Sequence, residues 1–227
     1  MTKEAKVVVA TNGPYLVTGS IPLSKQTIGT DAQGGSETWS ESDAYPVQAS
    51  YALCRCGRSK NKPFCDGTHA KVGFDGNETA SREPYARQAK VQDGPDMQLL
   101  DAEALCAFAR FCDPNGQVWN QVGQTKSPGV REAFLRQVAN CPSGRLVARD
   151  RSNQMEVEPQ QPVSIGLVED PAQGCSGPLW LRGRIPVKAA DGFQYEVRNR
   201  VTLCRCGQSK NKPFCDGTHA AIKFRDA

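Results

Sequence analysis

The chain has 227 residues, with 28 Lys and Arg against 24 Asp and Glu, a net charge of +4, 10 cysteines and only 2 histidines. So slight and scattered a basic excess, without interleaved aromatic residues, makes no case for nucleic acid, and no run approaches the roughly 20 apolar residues that cross a bilayer. Met1 to Ala10 lacks the basic and apolar regions of a secretory signal, so the cysteines are expected as thiols or metal ligands of a cytoplasmic protein rather than as disulfides.

In chain order, the first predicted element is a short strand opening at Gly13-Pro14-Tyr15-Leu16-Val17-Thr18-Gly19. The polar stretch Lys25 to Asp43, rich in Gly, Ser and Thr, reads as a surface loop. Leu53 to Ala70 then carries Cys54, Cys56, Cys65 and His69 in the spacing C-x-C-x8-C-x3-H. Cys54 and Cys56 flank one residue, so both thiols point to one side of an extended backbone. Pro63 suits the first turn of a helix, on which Cys65 and His69, four apart, would share a face. Asp66 would offset the positive end of that helix, and Gly67 permits close approach of the backbone to a bulky inorganic group.

The segment from Tyr85 to Asp170 differs. Asp101 to Cys112 is predicted as a helix, with Leu105, Phe108, Ala109 and Cys112 on one face and Asp101 and Glu103 in its first turn. Ser127-Pro128 opens a second helix that carries Val130, Phe134, Leu135 and Val138 and ends at Asn140, before Cys141-Pro142. Cys106, Cys112 and Cys141 lie here, with Cys175 downstream. Trp39, Trp119 and Trp180 read as core or packing residues between the halves.

Gly177-Pro178 begins a second opening strand that aligns with the first, and Asp191-Gly192 separates two alternating runs as a hairpin turn does. Leu203 to Ala220 then repeats Leu53 to Ala70 at every position but one, Gln208 standing where the first copy has Arg58. The repeat supplies Cys204, Cys206, Cys215 and His219, with Pro213, Asp216 and Gly217 again between them, and His69 and His219 are the only histidines of the chain. Three thiols and an imidazole in register, twice, are what a soft or borderline metal needs. On spacing alone, zinc with three Cys and one His is as admissible as iron.

The strings CRCGRSKNKPFCDGTH (54–69) and CRCGQSKNKPFCDGTH (204–219) resemble the CDGSH iron-sulfur domain of mitoNEET-like proteins, with Thr68 and Thr218 in place of the naming serine. The resemblance implies one [2Fe–2S] cluster per motif, with Cys54 and Cys56 on one iron and Cys65 and His69 on the other, and with Cys204, Cys206, Cys215 and His219 repeating the pattern. Between the motifs, Cys106 and Cys112 followed by Cys141-Pro142-Ser143-Gly144-Arg145-Leu146 are similar to a divergent single-cluster ferredoxin family. A ferredoxin cluster takes four thiolates, and Cys175 lies far from Cys141 in sequence, so this segment is expected as a structural remnant without a cluster. Single-motif members of the CDGSH family are twofold homodimers with exchanged strands. The expected fold is therefore α+β: two small β-rich halves, 1–84 and 171–227, pairing as an internal pseudo-twofold dimer within a monomer, and a helical, ferredoxin-like middle segment, 85–170.

These features point to a non-enzymatic protein with two [2Fe–2S] clusters that acts in electron transfer, cluster transfer or redox sensing toward a redox or cluster-acceptor protein, with no nucleic-acid or membrane partner. No Gly-rich phosphate loop, nucleophile elbow or third histidine supports catalysis on an organic substrate. Lys60, Lys62, Lys210 and Lys212 sit inside the metal loops, where they would offset an anionic centre and steer an acidic partner. The alternative is a zinc-stabilised interaction scaffold.

Overall fold

The computed structural model describes residues 4–226. The elements are β1 (Lys6–Val9), β2 (Tyr15–Thr18), β3 (Leu23–Thr30), β4 (Ser36–Ser42), β5 (Ser50–Leu53), α1 (Thr68–Lys71), α2 (Tyr85–Gln88), β6 (Lys90–Asp93), β7 (Met97–Asp101), α3 (Val118–Gln121), α4 (Pro128–Ala139), β8 (Leu146–Asp150), β9 (Ser164–Asp170), β10 (Cys175–Arg182), β11 (Val187–Lys188), β12 (Arg200–Leu203) and α5 (Thr218–Ala221). They form three sheets, ordered β11-β1-β2-β5, β12-β10-β9-β3-β4 and β6-β7-β8, so the fold is α+β with sheet dominant.

The first two sheets each draw strands from both ends of the chain. β11 adds to β1 in parallel, Val7 opposite Val187, and β3 leaves β2 to run parallel to β9, Leu23 opposite Ile165. Alternation on β1 and β2 turns Val7, Val9, Tyr15 and Val17 inward. They form one core with Leu179, Leu181, Ile185, Val187, Val201 and Leu203 from the C-terminal half. The opening strands β2 and β10 thus share a core. A buried hydroxyl ties β2 to the second cysteine segment as well: Tyr15 Oη donates to the carbonyls of Cys204 (2.7 Å) and Pro213 (3.0 Å).

The stretch Lys25–Asp43 is not the expected surface loop. It is the β3–β4 hairpin, paired from Lys25–Ser42 to Thr30–Ser36 and turned at Asp31, whose Oδ1 accepts from the amides of Gln33 (2.9 Å) and Gly35 (2.7 Å). Its inward residues Ile28 and Trp39 pack on Trp180 and on Phe111 of the middle segment, with the Trp39 and Trp180 ring centroids 4.6 Å apart. The alternating apolar residues were there, but spaced too sparsely among polar ones to stand out.

The middle segment is not helical as expected but a three-stranded antiparallel sheet backed by α4. Ser127 and Asn140 flank α4 as its sequence indicated, and Phe134 and Val138 bury against Met97, Leu99, Val118 and Leu146. The helix predicted over Asp101–Cys112 does not form. Asp101 ends β7, paired with Leu146, and Phe108 (φ 56°) and Arg110 (φ 61°) take left-handed backbone that ends any α-helix. Arg200 of β12 docks this segment on the C-terminal half. Its buried guanidinium donates to the carbonyls of Val138 (2.8 Å), Ala139 (2.9 Å) and Cys141 (2.7 Å), the unsatisfied C-terminal end of α4, and pairs with Glu158.

Candidate metal centres

Each metal segment leaves its strand and folds back along it. Leu53 bridges Phe64, the Cys54 amide donates to Pro63 O (2.8 Å) and the Cys65 amide to Ala52 O (2.9 Å); in the second copy Leu203 bridges Phe214, Cys204 donates to Pro213 O (2.9 Å) and Cys215 to Thr202 O (3.0 Å). This return pairing draws the third cysteine toward the first two. It also corrects one expectation: Pro63 opens no helix and Cys65 lies in extended chain. α1 begins only at Thr68, after Gly67 at φ 83°, and α5 repeats this after Gly217 at φ 84°. Asp66 holds the corner instead, one oxygen accepting from Lys60 N (2.8 Å) and the other from Thr68 N (2.9 Å); Asp216 does the same at 2.7 and 3.0 Å. These hydrogen bonds to the ionised carboxylate keep Asp66 well below the usual carboxylate range.

The donor atoms meet in pairs. Cys54 and Cys56 Sγ are 3.8 Å apart, Cys65 Sγ and His69 Nδ1 3.3 Å; the second set gives 3.6 Å for Cys204 and Cys206 and 3.4 Å for Cys215 and His219 Nδ1. Two sulfurs on one tetrahedral metal, at about 2.3 Å each, lie about 3.7 Å apart, so each pair spans one metal. Among the described residues no three such groups gather around a single ion. Amides of Arg58 and Gly67 point at Cys56 and Cys65 Sγ (both 3.4 Å), and Gly217 N at Cys215 Sγ (3.4 Å), as hydrogen bonds to thiolates do. This donor set fits an iron-sulfur group.

The two loops face each other at close range. A Cβ on Gly57 would lie 2.5 Å from Cys206 O, and one on Gly207 2.5 Å from Cys56 O. Their outer surroundings differ. His69 is half-buried with nothing near Gly67, whereas His219 is 4% exposed, and a Cβ on Gly217 would lie 3.1 Å from Phe108 Cβ and 3.4 Å from Cys106 O. The 104–110 loop of the middle segment covers the second site, and Asn211 Nδ2 donates to its Ala104 O (2.9 Å). Burial, seconded by Arg205, lowers His219 to about 4, so its imidazole is neutral and able to ligate. Burial also holds the Cys215 thiol high. Cys204 is drawn down by the hydrogen bond from Cys206, which is pushed up in turn.

In the middle segment, Cys106, Cys112 and Cys141 line one cavity together with Arg110 and Arg145. Burial, then Asp113 and the other two thiols, raises Cys112 to about 12. Cys175 is elsewhere, buried on β10 opposite Asp170. The arginines between the paired cysteines, Arg55 and Arg205, are both buried; a charge placed between two candidate ligands was the one sign of them at the level of sequence.

Residues 12–70 and 176–220 match the iron-binding zinc finger CDGSH type family, and residues 92–151 match the divergent 4Fe-4S mono-cluster family. Neither the curated proteins nor the solved structures offer a match. The chain thus carries two CDGSH segments in tandem on either side of a divergent iron-sulfur segment, which makes it an iron-sulfur-binding protein.

Proposed function

We propose that the chain holds two [2Fe–2S] clusters, one by Cys54, Cys56, Cys65 and His69 and one by Cys204, Cys206, Cys215 and His219, and passes electrons or clusters to an acceptor protein. The observation that carries this reading is the grouping of donors in pairs, each at the span of one metal, with no three around a single point among the described residues. A zinc scaffold would call for four donors around one ion. When bound, such a cluster takes up and gives back an electron; the chain fixes the donors, aims amides at the thiolates and leaves one imidazole per site. That imidazole is the ligand a proton can displace, so electron transfer and cluster release share a cause.

The parallel β1–β11 and β3–β9 pairs and the reciprocal approach of Gly57 and Gly207 support an internal pseudo-twofold dimer, in which each half lends a strand to the sheet of the other. A second reading adds a third cluster. The match over 92–151 and the three thiols lining one cavity favour it; the cavity, about 20 Å³, is the size of one water, and no fourth cysteine lines it. Iron and acid-labile sulfide counted on anaerobically purified protein test all three: about four of each per chain is expected for two clusters, a higher count means a filled middle segment, and zinc without sulfide or colour overturns the proposal.

A further inference from the structure

The two ligand sets are alike in kind, but their surroundings carry opposite charge. We propose that the first site is the high-potential end and the second the low-potential end of a directional pair, so that an electron held at the second passes to the first, oxidising the one as it reduces the other. This rests on the two-cluster reading above. Reduction adds a negative charge to an already anionic centre. A fixed cation nearby therefore raises the potential, and a fixed anion or deeper burial lowers it.

Three differences between the copies act in the same direction. The first is the arginine between the paired cysteines, a guanidinium cation in both copies. Arg55, 1% exposed, lies over the rings of Tyr15 and Phe74 at 5.7 and 5.6 Å and donates to the carbonyls of Ala10 (3.2 Å) and Gly76; its Nε has no acceptor. Among the described residues no carboxylate pairs with it. Its counterpart Arg205, 3% exposed, pairs with two, Glu169 (2.7 Å) and Asp226, and also donates to Gly177 O and Val168 O, each at 2.7 Å. The first site keeps a buried positive charge where the second carries one cation against two anions.

The second difference is the single substitution between the metal segments: Arg58, whose amide points at Cys56 Sγ, is replaced by neutral Gln208. The third is cover. The loop bearing Cys106 and Phe108 closes over Gly217 and buries His219, whereas nothing lies within 4 Å of a Cβ on Gly67. Lys60, Lys62 and Asp66 recur as Lys210, Lys212 and Asp216 and cancel. Beyond the motifs, Lys71 against Ala221 follows the trend while Gly73 against Lys223 and Asp75 against Arg225 oppose it; these charges, like that of Arg58, are exposed and screened by salt, so the buried Arg55 and Arg205 decide the order. The open face of the first site, where Arg58 and Lys60 are exposed, suits an acidic electron acceptor.

A redox titration of the holoprotein, followed by visible absorbance and electron paramagnetic resonance, tests this. Two one-electron steps are expected, at least tenfold apart in their equilibria, about 59 mV for a one-electron couple. H69C assigns the first site by lowering the upper step, and H219C by lowering the lower one. R58Q, which copies the residue of the second segment, should lower the upper step alone. E169Q should raise the lower step alone; both variants leave Arg55 in place, so the test does not depend on how an R55M variant folds. A single unresolved step, or an upper step that moves with H219C, in protein carrying about four irons per chain overturns the directional pair while leaving the two clusters standing. Protein without iron and sulfide fails at the earlier reading instead.

Discussion

Gly57 and Gly207 are the points at which the two metal loops touch, and alanine at either measures how tightly the halves are joined. Both take left-handed backbone, φ 72° and 79°, which costs an L-residue about 1–2 kcal/mol. The added methyl also meets backbone, not a yielding side chain: Cys206 O at 2.5 Å and Cys206 C at 2.8 Å for G57A, and the same distances to Cys56 for G207A. Moving packed backbone aside by half an ångström or more costs a further ~1–3 kcal/mol, so each variant should lose roughly 2–5 kcal/mol. Urea unfolding followed by tryptophan fluorescence, with absorbance of the bound centres recorded alongside, gives the number. Because each methyl pushes the same two loops apart, the double variant should lose less than the sum of the singles. A G57A protein within 0.5 kcal/mol of the parent, or strict additivity, would refute the close approach of the loops and with it the pairing of the halves. The control is G67A: Gly67 is also left-handed, but a methyl there meets nothing within 4 Å, so only the conformational cost should appear.

Other outcomes follow from the same geometry. R200M leaves the last carbonyls of α4 and a largely buried Glu158 without their partner and should cost about 3–5 kcal/mol in the same urea assay. Burial raises the Glu158 carboxyl, but Arg200 and Asn199 outweigh it and hold the folded value below the ordinary one. Its contribution is therefore full above the unfolded value of about 4.3 and is lost as pH falls through the lower folded value; E158Q should flatten the stability curve there and nowhere near neutrality. With His69 half-exposed and His219 buried, bleaching by acid or by an iron chelator should be biphasic, the fast phase vanishing in H69C and persisting in H219C; a single phase would contradict the unequal cover. Replacing Cys106 and Cys141 together by Ser should leave iron per chain unchanged, and a fall in iron and sulfide with an intact fold would establish the third cluster.

The donor residues were legible because their signal is local. A repeated C-x-C with a third thiol and a histidine needs no knowledge of the rest of the chain, and the same holds for the Asp191-Gly192 turn, where Ala189 N donates to Phe193 O (2.7 Å), and for the Ser127-Pro128 start of α4. What failed was decided at a distance. Leu99 and Leu100 are pinned by Ala148 and Val147 of β8, far along the chain, and the helical spacing over Asp101–Cys112 could not compete with that ladder. Likewise Lys25–Asp43 became a hairpin because β9, more than a hundred residues on, offers β3 an open edge. The unequal charge at Arg55 and Arg205 was hidden for the same reason: the two metal segments share this arginine, and only the partners Glu169 and Asp226, outside the repeat, tell the copies apart.

The parallel β1–β11 and β3–β9 pairs leave the Ser152–Met155 turn between β8 and β9 a purely connecting part to play. Ser152 to Met155 is an exposed turn, and a protease that cut there would sever the only covalent link between the N-terminal two thirds of the chain and the rest. β1 would still hold β11, β3 would still hold β9, and Arg200 would still cap α4 from the other fragment. The intact link keeps the two pieces at a high effective concentration, so its loss should show on dilution or denaturation long before it shows in the colour of the protein.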